Sequence, residues 1–97
     1  MADTSQPAPF PARRILIVDD NHDAAETLGM LLSELGATVA VAHSGPEALA
    51  ALDTFEPDAM LLDIGMPGMD GYEVSRHVRA STRHGNVLLI ALTGWGQ

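Results

Sequence analysis

Four short apolar runs, separated by stretches with apolar residues at helical spacing, constrain this chain most. The runs are Ile15 to Val18, Thr38 to Ala42, Ala59 to Leu62 and Val87 to Leu92. Short, continuous runs of this kind suit strands buried on both faces, as in parallel sheets. After the first run, Ala24, Leu28, Leu31, Leu32 and Leu35 fall at i, i+4, i+7, i+8 and i+11. That spacing predicts a helix of about three turns with one apolar stripe, closed by Gly36, the residue that best tolerates a left-handed conformation. After the second run, Ser44 can cap a helix, Pro46 suits its first turn and Glu47 lies three residues past the cap. Ala48, Leu49, Leu52 and Phe55 supply that helix's core stripe, and Pro57 stops it. A third helix is expected from Tyr72 to Ser81, with Val74 and Val78 inward and Arg76, Arg79 and Arg83 on a solvated face. Strand and helix therefore alternate, which implies right-handed crossovers and an α/β fold with a parallel sheet.

The chemistry collects where strands end. Asp19 and Asp20 end the first strand, Asp63 ends the third and Thr93 ends the fourth. In open parallel sheets the carboxyl ends of the strands are where ligands bind. Carboxylates brought together repel one another unless a cation or a proton intervenes. A hard divalent ion answers that repulsion, and Mg2+ characteristically takes one or two carboxylates, waters and a phosphate. A carboxylate beside such an ion can attack a phosphoryl group and form an acyl phosphate. Each residue also has a plainer use: Asp20 or Asp23 could cap the first helix, and Thr93 could be one more β-branched strand residue. The coincidence of three strand ends favours the cation site.

Composition narrows the partners. Thirteen acids face five bases, all of them Arg, for a net charge of −8. That balance argues against nucleic acid or an anionic membrane as direct partners. There is no Cys, which excludes disulfides and Cys-ligated zinc. No apolar run approaches the ~20 residues of a membrane span, and no secretory signal is recognisable, so a cytoplasmic protein is expected. Residues 1–12, with Pro7, Pro9 and Pro11, read as a disordered arm before one domain at 13–97. His22 reads as a surface residue, and His43, His77 and His84 lack ligand spacing. Met66 and Met69 read as packing residues.

The segments ILIVDDN, LLDIGMPGMDG and LLIALTG together resemble the receiver domain of bacterial two-component response regulators. The resemblance covers Arg14 to Gly94, in order. It implies a flavodoxin-like (CheY-like) doubly wound sheet, with Asp63 as phosphoacceptor for a sensor histidine kinase or phosphotransfer protein. It further implies a Mg2+ site in which Asp20 and Asp63 ligate directly, Asp19 acts through water and Gly65 offers its backbone carbonyl. Thr93 would be the switch hydroxyl, and Pro67 and Gly71 match the loop after the acceptor. Such a module is a phosphoacceptor that assists its own modification rather than an enzyme.

The chain departs from that pattern in one respect. Receivers carry a Lys after a fifth strand, and this sequence has neither. The reading is therefore a receiver truncated after its fourth strand, lacking the fourth helix, fifth strand and fifth helix. An exposed fourth strand would then invite self-association or domain swapping. The alternative is a phosphorylation-impaired, receiver-like interaction domain. A phosphohydrolase using Asp63 is disfavoured, because enzymes of the haloacid-dehalogenase group place a second Asp two residues after the nucleophile, where this chain has Gly65.

Overall fold

The structure is a computed structural model that describes residues 13–92. Seven elements alternate: β1 (Arg14–Val18), α1 (His22–Glu34), β2 (Thr38–Ala42), α2 (Gly45–Phe55), β3 (Ala59–Asp63), α3 (Gly71–Ala80) and β4 (Leu88–Leu92). The strands form one parallel sheet in the order β2-β1-β3-β4. The chain steps outward from β1 to β2, then crosses back to β3 on the other side of β1. This reversal opens a crevice at the carboxyl ends of β1 and β3.

Alternate strand residues face opposite layers. On one face, Leu16, Val18, Met60 and Leu62 pack with Ala48 and Leu52 of α2 and with Val74 and Val78 of α3. On the other, Ile15 and Ile17 pack with Ala25 and Leu32 of α1. Helices thus cover both faces, as a doubly wound sheet requires. Every strand lies where its apolar run predicts, with β4 beginning at Leu88 rather than Val87 and α3 at Gly71 rather than Tyr72.

The buried face of α1 differs from the expected stripe. Ala25, Gly29 and Leu32 are buried and Leu28 and Leu35 half-buried, while Ala24 is exposed and Leu31 is 57% exposed. Gly29 is the reason. A Cβ there would lie 3.4 Å from Val39 Cγ1 and 3.6 Å from Ile17 Cδ1, so the helix lies close on the sheet along its smallest residue. A hydrophobic count gives glycine no weight and selects the larger Leu31 instead.

The caps explain where the helices begin. Asn21, not Asp20 or Asp23, caps α1 by accepting the Ala24 amide at 3.0 Å. Asp70 caps α3 by accepting the Glu73 amide at 3.0 Å. Ser44 Oγ accepts the Glu47 amide at 3.2 Å, and the Glu47 carboxylate accepts the His43 amide at 3.0 Å. Gly36 closes α1 with φ at 103°, and the Gly36 and Ala37 amides return to the carbonyls of Ser33 and Leu32.

Two of the three arginines assigned to a solvated face are engaged. Arg79 Nη1 donates to the carbonyls of Gly85 (2.8 Å) and Val87 (2.7 Å), tying α3 to the approach to β4. Arg83 pairs with Asp53 at 3.2 Å and Glu56 at 3.6 Å, and buried His84 meets the same Asp53 carboxylate at 3.0 Å. The His84 hydrogen bond, joined by Arg83, holds the Asp53 carboxyl below its ordinary range. Residues 1–12, with the expected arm, and residues 93–97, with Thr93 and Trp95, lie outside the described residues.

Candidate functional site

β1 and β3 are neighbours at the centre of the sheet, so their carboxyl ends bring Asp19, Asp20 and Asp63 to one edge. Each carboxylate offers an oxygen, and these oxygens lie within 4.8 Å of one another. It is the only such group of three among the described residues. Asp19 and Asp63 are half-buried and Asp20 is exposed. The Asn21 amide donates to Asp19 Oδ1 and the Gly65 amide to Asp63 Oδ1, each at 2.9 Å. Amide donors to a carboxylate are charge-assisted bonds, and here they orient both side chains.

The electrostatics favour a ligand that brings positive charge. Burial pushes the Asp19 carboxyl above its ordinary range; the Asn21 amide opposes the rise, and repulsion from Asp63 and then Asp20 adds to it. The Arg side chains with carboxylate partners among the described residues use Asp53 and Glu56, not this cluster. The donors are all hard oxygens, which suit Mg2+, Ca2+ or Mn2+ and not a thiophilic metal. The residues present therefore fit a small divalent cation.

A sign follows for stability. Because folding raises the Asp19 pKa, ionised Asp19 disfavours the folded state, and that penalty disappears as pH falls through the raised pKa. In metal-free protein, Asp19→Asn is expected to melt at a higher temperature than the wild type at pH 7. The gap should narrow as pH falls toward about 4, near the ordinary carboxylate pKa. Thermal melts at the two pH values check this; equal melting at pH 7 would contradict it.

The loop after Asp63 is packed. Met66 is buried in the core, and Met69 is half-buried against it, as expected of packing residues. A Cβ on Gly45 would lie 2.7 Å from Met69 Cβ, so this loop and the start of α2 are in close contact. A Cβ on Gly71 would meet the Asp63 carbonyl oxygen and Ile64 Cα, each at 2.9 Å. Gly68 takes φ at 75°, the left-handed turn the loop needs.

The structure brings together all three acids singled out in the sequence. Gly65 stands beside them through its amide. Thr93 lies outside the described residues; Leu92, which precedes it, pairs with Asp63 across β3 and β4. Sequence reasoning missed a contact between His22 and His43, whose rings stack with centroids 3.6 Å apart. His43 Nδ1 also lies 2.9 Å from the Asp19 main-chain oxygen. The two histidines are far apart in sequence, and the pairing of β1 with β2 unites them. That pairing was the available signal, since both follow strands that end at the same edge.

The open parallel sheet, with three carboxylates at its switch point, places the chain among doubly wound α/β proteins with an acidic, oxygen-donor edge. Residues 15–97 match the response regulator receiver domain family, and the chain belongs to it. It is 47% identical to response regulator MprA of Mycobacterium ulcerans (strain Agy99) over 68 residues, which are 70% of this chain and 29% of that protein. The chain thus spans less than a third of the length of that curated relative. Among solved structures it resembles the N-terminal domain of a response regulator receiver protein from Methanoculleus marisnigri JR1. The two share 32% identity and a TM-score of 0.81, over 87% of this chain and 68% of that one. It also resembles the chemotaxis protein CheY4 of Vibrio cholerae, with 28% identity and a TM-score of 0.82, over 89% of this chain and 72% of that one. These neighbours agree with the flavodoxin-like fold expected from the motifs. No helix of the described residues is long and apolar enough to cross a membrane.

Proposed function

We propose that this receiver accepts a phosphoryl group on Asp63 from a phosphohistidine, in a Mg2+-dependent step of two-component phosphorelay signalling. The observation that carries the reading is the convergence of Asp19, Asp20 and Asp63 within 4.8 Å at the switch point. An oxygen of the Asp63 carboxylate attacks phosphorus, the P–N bond breaks, and its electron pair leaves on the donor imidazole. The product is an acyl phosphate on Asp63. Asp20, Asp63 and the Gly65 carbonyl would hold Mg2+, with Asp19 acting through water; the ion offsets charge on the transferring group. The Gly65 amide holds the Asp63 side chain in one orientation, so the nucleophile is placed before the donor arrives. Thr93 would supply a hydroxyl to the phosphoryl oxygens once the aspartate is modified.

The partners follow from this chemistry: a sensor histidine kinase or a phosphotransfer protein, in the cytoplasm. Self-association is supported by β4, which pairs only with β3 among the described residues. Its Leu88 and Ile90 are 59% and 42% exposed. Sedimentation over a range of concentrations should show a rising average mass, and a concentration-independent monomer would remove this part of the reading.

Incubation with acetyl phosphate and Mg2+, followed by intact-mass measurement, tests the central step. The wild type should gain one phosphoryl group, whereas Asp63→Asn, or omission of Mg2+, should abolish the adduct. A folded wild type that stays unmodified would instead favour a receiver-like interaction domain that does not accept phosphate.

A further inference from the structure

The loops after β1 and β2 are fastened together at the acidic edge. The Asp19 amide donates to the Ala42 carbonyl at 3.0 Å. In return, the Asp19 carbonyl lies 2.9 Å from Nδ1 of His43, the residue after β2. A carbonyl oxygen only accepts, so His43 Nδ1 carries the proton and donates it. The two bonds act on the peptide planes either side of the Asp19 Cα, and each plane is rigid. Together they hold both backbone dihedrals of Asp19. The His43 ring also lies on that of His22, with planes 10° apart. His22 is the first residue of α1, after the cap Asn21. Asp20 and Asn21 therefore stand between two points of attachment to the same imidazole. The His43 amide is itself anchored, by the Glu47 carboxylate at 3.0 Å.

We propose that His43 is a positioning residue for the cation site. By donating from Nδ1 to the Asp19 carbonyl, it holds the stretch of main chain from which Asp19 and Asp20 project. This inference rests on the reading of Asp19, Asp20 and Asp63 as that site. Three carboxylates without a counter-ion push one another apart, and a loop held only by the Asp19 amide and by the Asn21 amide on Asp19 Oδ1 relaxes by turning the peptide after Asp19. The His43 bond blocks that turn. Binding then does not have to order the loop, which is how outer partners raise the affinity of a metal site.

Two measurements test the role. In metal-free wild type, 15N spectra should show His43 protonated at Nδ1 and bare at Nε2. The opposite tautomer would overturn the proposal, and this readout needs neither a variant nor a metal. Affinity for Mn2+ alone, followed by electron paramagnetic resonance, supplies the second. His43→Phe keeps a flat ring for His22 but has no donor, and should bind about tenfold more weakly. His43→Asn has no ring but keeps an N–H donor close to the position of Nδ1. It should stay within about twofold of wild type, a rescue that ring stacking alone does not produce. Unchanged affinity in His43→Phe, or equal losses in both variants, would overturn the proposal. Failure of the wild type to bind Mn2+, or binding untouched by Asp20→Asn, would overturn the cation site itself and the positioning role with it.

Discussion

Leu16→Ala should cost the fold about 3–4 kcal/mol, near the middle of the 2–5 kcal/mol range for a buried leucine cut to alanine. Leu16 has no exposed surface and sits in the central strand β1, in register with Ala40 on one side and Met60 on the other. It packs in the core formed with α2 and α3. Its neighbours on both sides are strands, so backbone movement cannot close the space left behind. The packed domain is small, and domains of this size have total stabilities of roughly 4–12 kcal/mol. The variant should therefore lose about a quarter or more of its total stability. Urea denaturation measures this as a lower midpoint with an unchanged slope. Leu31→Ala is the control. Leu31 is 57% exposed, and its replacement should change stability by less than about 0.5 kcal/mol. Equal losses in the two variants would mean that the buried face of α1 is wrongly placed.

Gly71→Ala should lower stability by about 1–3 kcal/mol and weaken Mn2+ binding about tenfold. Two effects oppose each other here. Alanine is the better helix former by up to about 1 kcal/mol, and Gly71 is the first residue of α3. Against this, the added Cβ meets the Asp63 carbonyl oxygen and Ile64 Cα at 2.9 Å, and both belong to backbone that cannot swing aside. Overpacking of this kind costs about 1–3 kcal/mol, so the clash prevails. Relief requires moving either α3 or the Asp63–Ile64 peptide. The second route displaces the carboxylate from its partners, and carboxylate ligands tolerate little displacement around a small cation. Gly68→Ala separates strain from displacement. A Cβ there meets nothing within 4 Å, although φ at 75° remains unfavourable for alanine. It should lose about 1 kcal/mol of stability and keep the Mn2+ affinity of the wild type. Calorimetric titration of both variants checks the pair. Tight binding by Gly71→Ala would show that α3 yields and the Asp63 loop does not.

Much of the fold was legible because strand and helix patterns are local. Each β-strand is an apolar run of the length a buried strand needs, and each turn carries its own punctuation in Gly36, Ser44 and Pro57. The acidic site was legible for a related reason. A parallel sheet sends the end of every strand to one edge, so Asp19, Asp20 and Asp63 had to share it once the alternation was recognised. The errors arose where size or shape outweighed hydrophobicity. Gly29 seats α1 on the sheet although it adds nothing to an apolar stripe. Asn21 caps α1 although two aspartates stand beside it.

The order of elements, the parallel sheet and the carboxylates at its edge depend on periodicity and position along the chain, and so are written in the amino-acid order alone. Which small residues allow close approach, which side chains hold the acidic loops, and what lies beside them follow from packing in three dimensions. Gly71 under Asp63, and His43 joined to Asp19 and His22, are contacts between segments that no local pattern connects. The first closes the connection between β3 and α3; the second exists because β1 pairs with β2, which brings the loops after them within hydrogen-bonding reach at one edge of the sheet.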